Sequence, residues 1–266
     1  MTSPLALVIH GASGRNGKRL IALGSADPEV RLVAALVRPQ SSAVGKDAGV
    51  LAGMPPMNLP ITSAWPEAFD CTIDFSSPDG CMVALAECVS RRSNIVIATT
   101  GLEPQHLHAI EAASEQIAVC LAPNTSAAVN IGMKLVEQAA RAFKDVPGGA
   151  DVEIIERHHR YKEDSPSGTA IKLGQIIAKE MGIDQHVHGR HGMIGKRPHN
   201  EIGYHAVRVG DDVGQHTIVF GMIGELVEIR VAASSRDSYA SGAIAAAKFL
   251  RNKPPRLYSM ADVLGI

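Results

Sequence analysis

The sequence predicts an α/β chain: a doubly wound parallel sheet first, then an inserted α+β region on a mixed or antiparallel sheet. Three observations carry this. Continuous apolar runs alternate with helical patterns through the first 125 or so residues, as in a parallel sheet covered on both faces. A glycine-rich turn, Gly11 to Gly17, joins the first run to the first helix. Beyond Ser126 the alternation gives way to closely spaced strand patterns. A length of 266 residues, at about 150 per domain, allows one large domain or two modest ones.

The elements follow in order. Leu5–His10 is a short apolar strand and Arg15–Ala26 a helix. Val30–Val37, Cys71–Phe75, Asn94–Ala98 and Ile117–Ala122 read as further buried strands. Helices over Pro78–Arg92 and Glu103–Glu115 separate the later ones. Gly45–Pro66, with four prolines, reads as loop with at most one short strand. Ser126–Lys144 is a long helix, ended by Pro147-Gly148-Gly149. Asp151–Glu156 is a strand and Ser167–Met181 a helix. Ile202–Val209, Gly214–Gly221 and Leu226–Ala232 are strands whose short spacers suit antiparallel hairpins. A helix from about Ser238 to Leu250 and a short tail close the chain.

Composition excludes several classes. Twenty-six Lys and Arg against 27 Asp and Glu give a net charge of −1. No strong basic field for nucleic acid and no acidic tail are expected. No apolar run approaches the ~18 residues of a membrane span, and no basic segment at the N-terminus suggests a signal peptide. Cys71, Cys81, Cys88 and Cys120 form no CxxC pair. Reduced cysteines packed in a cytoplasmic core are the expectation, with disulfides and structural zinc the lesser readings.

The turn Gly11-Ala12-Ser13-Gly14-Arg15-Asn16-Gly17 is a relative of the Rossmann dinucleotide fingerprint. Glycines there permit a tight turn and close approach of a pyrophosphate to a helix start. A tight turn with no ligand is the alternative. Strand two ends Leu36-Val37-Arg38, with no carboxylate for ribose hydroxyls. Arg38 there suits a 2′-phosphate, hence NADPH over NADH, unless it is only a solvated loop residue. Thr99-Thr100-Gly101 and Pro123-Asn124-Thr125-Ser126 end strands four and five, where ligands bind in such sheets. They can serve a nicotinamide carboxamide, or Thr100 and Ser126 can cap the helices that follow.

The densest chemistry lies in Glu156–Thr169, which leaves a strand and enters a helix at Ser167. His158, His159, Arg160 and Lys162 gather cationic groups, and Ser167-Gly168-Thr169 adds helix N-terminal donors. An anionic, polycarboxylate substrate fits, with His and Lys as proton donors. A solvated charged loop is the alternative, since Glu163 and Asp164 offset the charge. His186, His188, His191, His199 and His205 match no zinc template and read as a mobile polar loop. His205 and His216 fall in strands and read as packed or interfacial, not catalytic.

Taken together, these motifs resemble the dihydrodipicolinate reductase family over nearly the whole chain. The resemblance rests on Gly11–Gly17, Asp74-Phe75, Thr99-Thr100-Gly101, Asn124 and Ser126, Gly210–His216 and Ser234-Ser-Arg236. Its most specific piece is Glu153–Lys162 followed by Asp164-Ser-Pro-Ser-Gly-Thr169. It implies a dinucleotide domain of residues 1–125 and 237–266, and an inserted substrate and oligomerisation domain of residues 126–236 that forms a homotetramer. It further implies hydride transfer from NADPH, NADH less certainly, to a cyclic dicarboxylate in lysine and diaminopimelate biosynthesis. Closure about hinges near Thr125 and Arg236 would precede chemistry. His158 matches the family's proton donor/acceptor and Lys162 its proton donor. His159, Ser167, Gly168 and Thr169 match the substrate segment. Gly11, Ala12, Ser13, Gly14, Arg15, Asn16, Arg38, Ala98, Thr99, Thr100, Ala122, Pro123, Asn124 and Thr125 match cofactor positions. No metal is implied. The chain departs from the common pattern at Asn16 (often Met), Val37 (acidic in dual-cofactor members), Thr125 (often aromatic) and Ala232-Ala233 before Ser234 (often basic or His-containing).

Two other readings stand beside this one. Another two-domain NAD(P) oxidoreductase, of the aspartate dehydrogenase kind, would leave His158–Lys162 with Ser167–Thr169 as coincidence. A non-catalytic NADPH sensor on the same fold would leave His158 and Lys162 idle.

Overall fold

The computed structural model describes residues 3–266 and divides into two compact units. One runs through Ala127 and resumes with Arg236–Ile266; the other is Ala128–Ser235.

The first unit begins β1 (Leu5–His10), α1 (Arg15–Ala26), β2 (Val30–Leu36), α2 (Ala48–Leu51), β3 (Ile61–Thr62) and β4 (Cys71–Asp74). It continues α3 (Pro78–Arg91), β5 (Asn94–Ile97), α4 (Pro104–Ser114) and β6 (Ala118–Leu121). After the second unit come α7 (Asp237–Leu250), β12 (Arg256–Tyr258) and α8 (Met260–Leu264). The sheet order is β12-β6-β5-β4-β1-β2-β3, and every pairing is parallel. The chain runs outward from β1 through β2 and β3, then restarts at β4 on the other side of β1. The crevice outside the carboxyl ends of β1 and β4 is therefore the switch point where ligands bind in doubly wound sheets.

The alternation of side chains along each strand builds both layers. Leu5, Leu7 and Ile9 pack on one face with Leu20 and Ile21 of α1 and the alanine-rich α7. Val8, Ile95, Ile97 and Val119 pack on the other with Cys81, Leu85 and Cys88 of α3 and Ile110 of α4. Each large aliphatic side chain buried this way contributes roughly 1.5–3 kcal/mol. All four cysteines are buried and free. Burial pushes their thiols up, to about 12 for Cys88 and Cys120, so they are inert packing groups.

The second unit holds α5 (Ala127–Phe143, whose first residue belongs to the first unit), β7 (Asp151–His158), α6 (Gly168–Met181) and β8 (Gln185–His188). Then come β9 (Glu201–Arg208), β10 (Gln215–Met222) and β11 (Glu225–Ala232). The order is β11-β10-β7-β9-β8. β8, β9 and β7 run parallel, while β10 is antiparallel to both β7 and β11. Val152 and Ile154, with Ile202, Ile218 and Phe220, face a core completed by α5 and α6. The opposite face leaves Ile155, Val207 and Leu226 exposed.

Several expectations need correction. β9 and β10 do not form a hairpin, because β7 lies between them; only β10–β11 is one. The spacer Gly210–Val213 is instead held across the end of β7 by the bonds His159 N–H to Asp212 O and Arg160 N–H to Gly210 O. The proline-rich stretch contains α2, capped by Asp47, which accepts from the Val50 N–H at 3.1 Å. The His-rich segment contributes β8, paired with β9, and the C-terminal tail contributes β12 and α8. Each is a short element whose own periodicity is too brief to read. Thr100 caps nothing: α4 starts later, behind Glu103 with Pro104 at its first position.

Candidate active site

In the first unit the loop after β1 is shaped by its glycines. Gly11 has φ +80°, and a Cβ there would lie 2.4 Å from the Phe75 carbonyl oxygen. A Cβ on Gly17 would lie 2.3 Å from the Gly11 oxygen, so α1 is seated directly on the loop. Gly14 is the α1 N-cap and supplies no side-chain acceptor. The first N–H groups of α1 are left for a ligand. Asn16 carries a buried Oδ1 with no hydrogen-bond partner. A glycine cradle, uncapped donors and an orphaned acceptor fit a pyridine dinucleotide. Arg38 is exposed at the end of β2, while Val37 is buried.

Beneath this loop lies a network that sequence reading did not assign. Asp74, fully buried at the end of β4, accepts from Thr99 Oγ1 and Ser76 Oγ at 2.6 Å each. Its Oδ1 also lies 2.7 Å from His10 Nδ1. The network ties together the carboxyl ends of β1, β4 and β5. Ala98 and Ala122 are buried, Thr100 and Pro123 exposed. The Thr99 hydroxyl is committed to Asp74, and Thr125 Oγ1 donates to Tyr239 O at 2.7 Å. Thr99 and Thr125 thus offer a ligand only main-chain groups. Asn124 Oδ1 accepts from Ser126 N–H at 3.0 Å, just ahead of α5.

In the second unit the alternation of β7 turns Val152, Ile154, Glu156 and His158 to the buried side. Glu156 is a carboxylate in an apolar stripe, and such a group needs partners. Arg208, at the end of β9, supplies them: Nη1 donates to Oε2 at 2.8 Å and Nη2 to Oε1 at 2.7 Å. Ser167 N–H donates to Oε1 at 3.1 Å, and His158 Nδ1 lies 2.6 Å from Oε2. Burial opposes the charge on Glu156, but the bonds from Arg208 and His158 outweigh it and hold the carboxyl below its ordinary range. Burial also lowers His158, which Glu156 only partly restores against Lys162 and Arg208.

His216, on β10, meets the His158 ring edge-on with centroids 5.3 Å apart. Its Nε2 lies 2.9 Å from Ser167 Oγ, which accepts from Ala170 N–H. Ser167 Oγ and His216 Nε2 are thus hydrogen-bonded to each other at the start of α6. Burial first, and the neighbouring His158 second, push His216 down to about 4, so it is neutral at physiological pH. The reading of His216 as packed is correct as to burial, but the residue belongs to this cluster. Lys162 Nζ donates to Asp164 at 2.8 Å. His159 has a buried Nδ1 with no partner. Gly168 has open space where a Cβ would stand, in front of the α6 N-terminus. His158, His159, Lys162 and Ser167–Thr169 are thus brought into one segment of one unit.

The histidine-rich stretch is tied down, not loose. Arg190 and Arg197 both donate to Glu153, and His205 Nε2 lies 2.7 Å from it. These bonds hold Glu153 at about 2 despite its burial. No cluster of His, Cys, Asp or Glu suited to a metal occurs among the described residues. Asp74, Glu156 and His216 lie inside motifs legible in the sequence, but no role attaches to them there, and Arg208 is only a strand residue; each is recognisable as a polar residue in an apolar alternation. That signal asks for a partner without naming it.

A dinucleotide cradle at a sheet's switch point fits a redox cofactor of the nicotinamide type. The protein is a nicotinamide-dependent oxidoreductase. Comparison with known proteins narrows the class. The N-terminal family model of dihydrodipicolinate reductase matches residues 5–125 and the C-terminal one residues 128–264. A 4-hydroxy-tetrahydrodipicolinate reductase of Rhodopirellula baltica is 51% identical over 273 residues, covering 100% of this chain and 98% of that one. One from Pseudoalteromonas atlantica is 44% identical, covering 98% of each. A dipicolinate-bound dihydrodipicolinate reductase of a Paenisporosarcina species shares the fold, with TM-score 0.75 and 23% identity over 97% of this chain and 98% of that one. The chain belongs to the dihydrodipicolinate reductase family.

Proposed function

We propose that this chain reduces 4-hydroxy-tetrahydrodipicolinate, with loss of water, to tetrahydrodipicolinate, and that NADPH is its preferred donor. The observation that carries the reading is the ordered segment His158–Thr169. There, the buried His158, the half-buried His159, a lysine and an open helix N-terminus suit the chemistry that a dicarboxylate imine requires. The bound nicotinamide supplies the hydride. Loss of the 4-hydroxyl with a neighbouring ring proton, as water, leaves a conjugated imine; hydride addition to it leaves electron density to be protonated, and Lys162 delivers that proton with His158 as proton donor/acceptor. His159, whose Nδ1 has no hydrogen-bond partner, and the N–H groups of Gly168 and Thr169 hold the carboxylates. Ser167, whose hydroxyl and N–H are spent on His216 and Glu156, supports that turn. The cofactor is held by Gly11–Asn16, by Arg38, and by the main chain of Ala98–Thr100 and Ala122–Thr125.

NADPH is favoured because Arg38 stands where a carboxylate would serve NADH. Four buried free thiols suit a cytoplasmic setting. The exposed apolar residues of the open β7–β9–β10–β11 face suit self-association as a homotetramer.

The test follows NADPH and NADH absorbance with substrate made in place by the preceding synthase. Rapid NADPH oxidation with slow NADH oxidation is expected. Arg38→Ala should raise KM for NADPH by about tenfold or more, as loss of a charge-assisted bond of about 1.5–3 kcal/mol requires, and leave NADH unchanged. Equal use of both cofactors would remove the preference. No oxidation of either by protein that binds NADPH would leave the sensor.

A further inference from the structure

His158 is held from outside the loop that follows it. Glu156 lies two residues earlier on the same buried face of β7, and only 1% of it is exposed. Its two oxygens are taken by Arg208 from β9, by Ser167 N–H from the start of α6, and by His158 Nδ1. A carboxylate 2.6 Å from Nδ1 keeps the proton on that nitrogen. The lone pair is thereby on Nε2, at the ring's other edge. There the chain has glycine: a Cβ on Gly214 would stand 2.8 Å from Nε2.

We infer that Glu156 and Arg208 are an opposed pair of positioning residues that sets the tautomer and the proton affinity of His158. Glu156 stabilises the protonated ring. Arg208 shares the same two oxygens and offsets that effect, so burial leaves the ring below the ordinary imidazole range. The other groups facing the ring are Lys162, on the loop after β7, and His216, on β10. Lys162 disfavours a positive charge on the ring, while His216 is itself held neutral by burial. Neither Glu156 nor Arg208 is assigned contact with substrate. They act through His158, and their kinetic consequence rests on the reading of His158 as the acid–base group.

The test is a pH titration of histidine-15N-labelled full-length protein. His158 is assigned by the resonance lost in His158→Gln. Wild-type protein should carry its neutral-form proton on Nδ1. Glu156→Gln keeps an acceptor but removes the charge, and should move the His158 midpoint to lower pH. Arg208→Met should move it to higher pH. Glu156→Gln with Arg208→Met should fall between, and this double variant keeps the test intact if Arg208→Met alone fails to fold. Glu156→Gln should also lower kcat about tenfold or more, part of the ~10²–10⁴ that acid–base catalysis supplies, and move the pH profile with the midpoint. Shifts of one sign in both single variants, or none, overturn the inference. A shifted midpoint with an unmoved pH profile upholds the positioning pair and overturns only the catalytic reading of His158.

Discussion

At the scale of single residues, the candidate site works by committing most polar atoms and leaving a few free. Ser167, Glu156 and Thr99 are spent on neighbours, while His159 Nδ1 and Asn16 Oδ1 are not. Lys162 is held near the segment by Asp164. Lys162→Ala should lower turnover by at least about 10²-fold, within the ~10²–10⁴ of general acid catalysis; near wild-type turnover would remove it from the mechanism. His216 makes a second prediction. Its folded-state value near 4 lies below the ordinary 6.5. Between those values the unfolded chain binds more protons, so stability falls as pH drops from 6.5 and the loss is complete below 4. The loss amounts to about 3 kcal/mol. Urea unfolding at pH 7, 5.5 and 4.5 should show a smaller decline for His216→Gln. Parallel declines would mean that His216 is not held neutral.

At the scale of elements, close approach decides what a helix can be made of. α7 lies on the sheet face shared with α1, and its middle carries Gly242, where a Cβ would come within 1.7 Å of the Thr125 carbonyl oxygen. Glycine to alanine in a helix interior ordinarily stabilises by about 1 kcal/mol. Here the sign reverses: overpacking should destabilise Gly242→Ala by about 1–3 kcal/mol or more. Gly221, in β10, has nothing within 4 Å of a built Cβ, so Gly221→Ala serves as the control in the same unfolding series. Equal stability of the two variants would show that α7 moves to make room. The paired strands obey a similar logic. The short spacer between β9 and β10 looked like a hairpin turn, but β7 lies between them. Spacer length limits how far apart two strands lie and does not make them neighbours.

At the scale of the whole molecule, the second unit is half covered. One side of its sheet is packed by α5 and α6. The other presents Ile155, Val207 and Leu226, between 41% and 60% exposed, on three different strands. An apolar face of this kind is where the proposed self-association would be seated. Sedimentation at micromolar concentration should give a tetramer, and Ile155→Glu with Leu226→Lys a smaller species. A wild-type monomer would sink the proposed assembly.

The sequence alone determined the elements with long, uninterrupted periodicity, from β1 and α1 to α6. It also determined the glycine loop and the His158–Lys162 segment, because those signals are local: spacing, alternation and turn chemistry lie within a few residues. Tertiary structure alone decided what depends on residues distant in the chain. Arg208 reaches Glu156 across 52 positions, and Thr99 reaches Asp74 across 25. The short elements α2, β8, β12 and α8 also needed it, since a few residues hold one shape only when neighbours pair with or cover them. A buried carboxylate announces in the sequence that a partner exists; only the fold, by closing one strand against another, determines which residue that partner is.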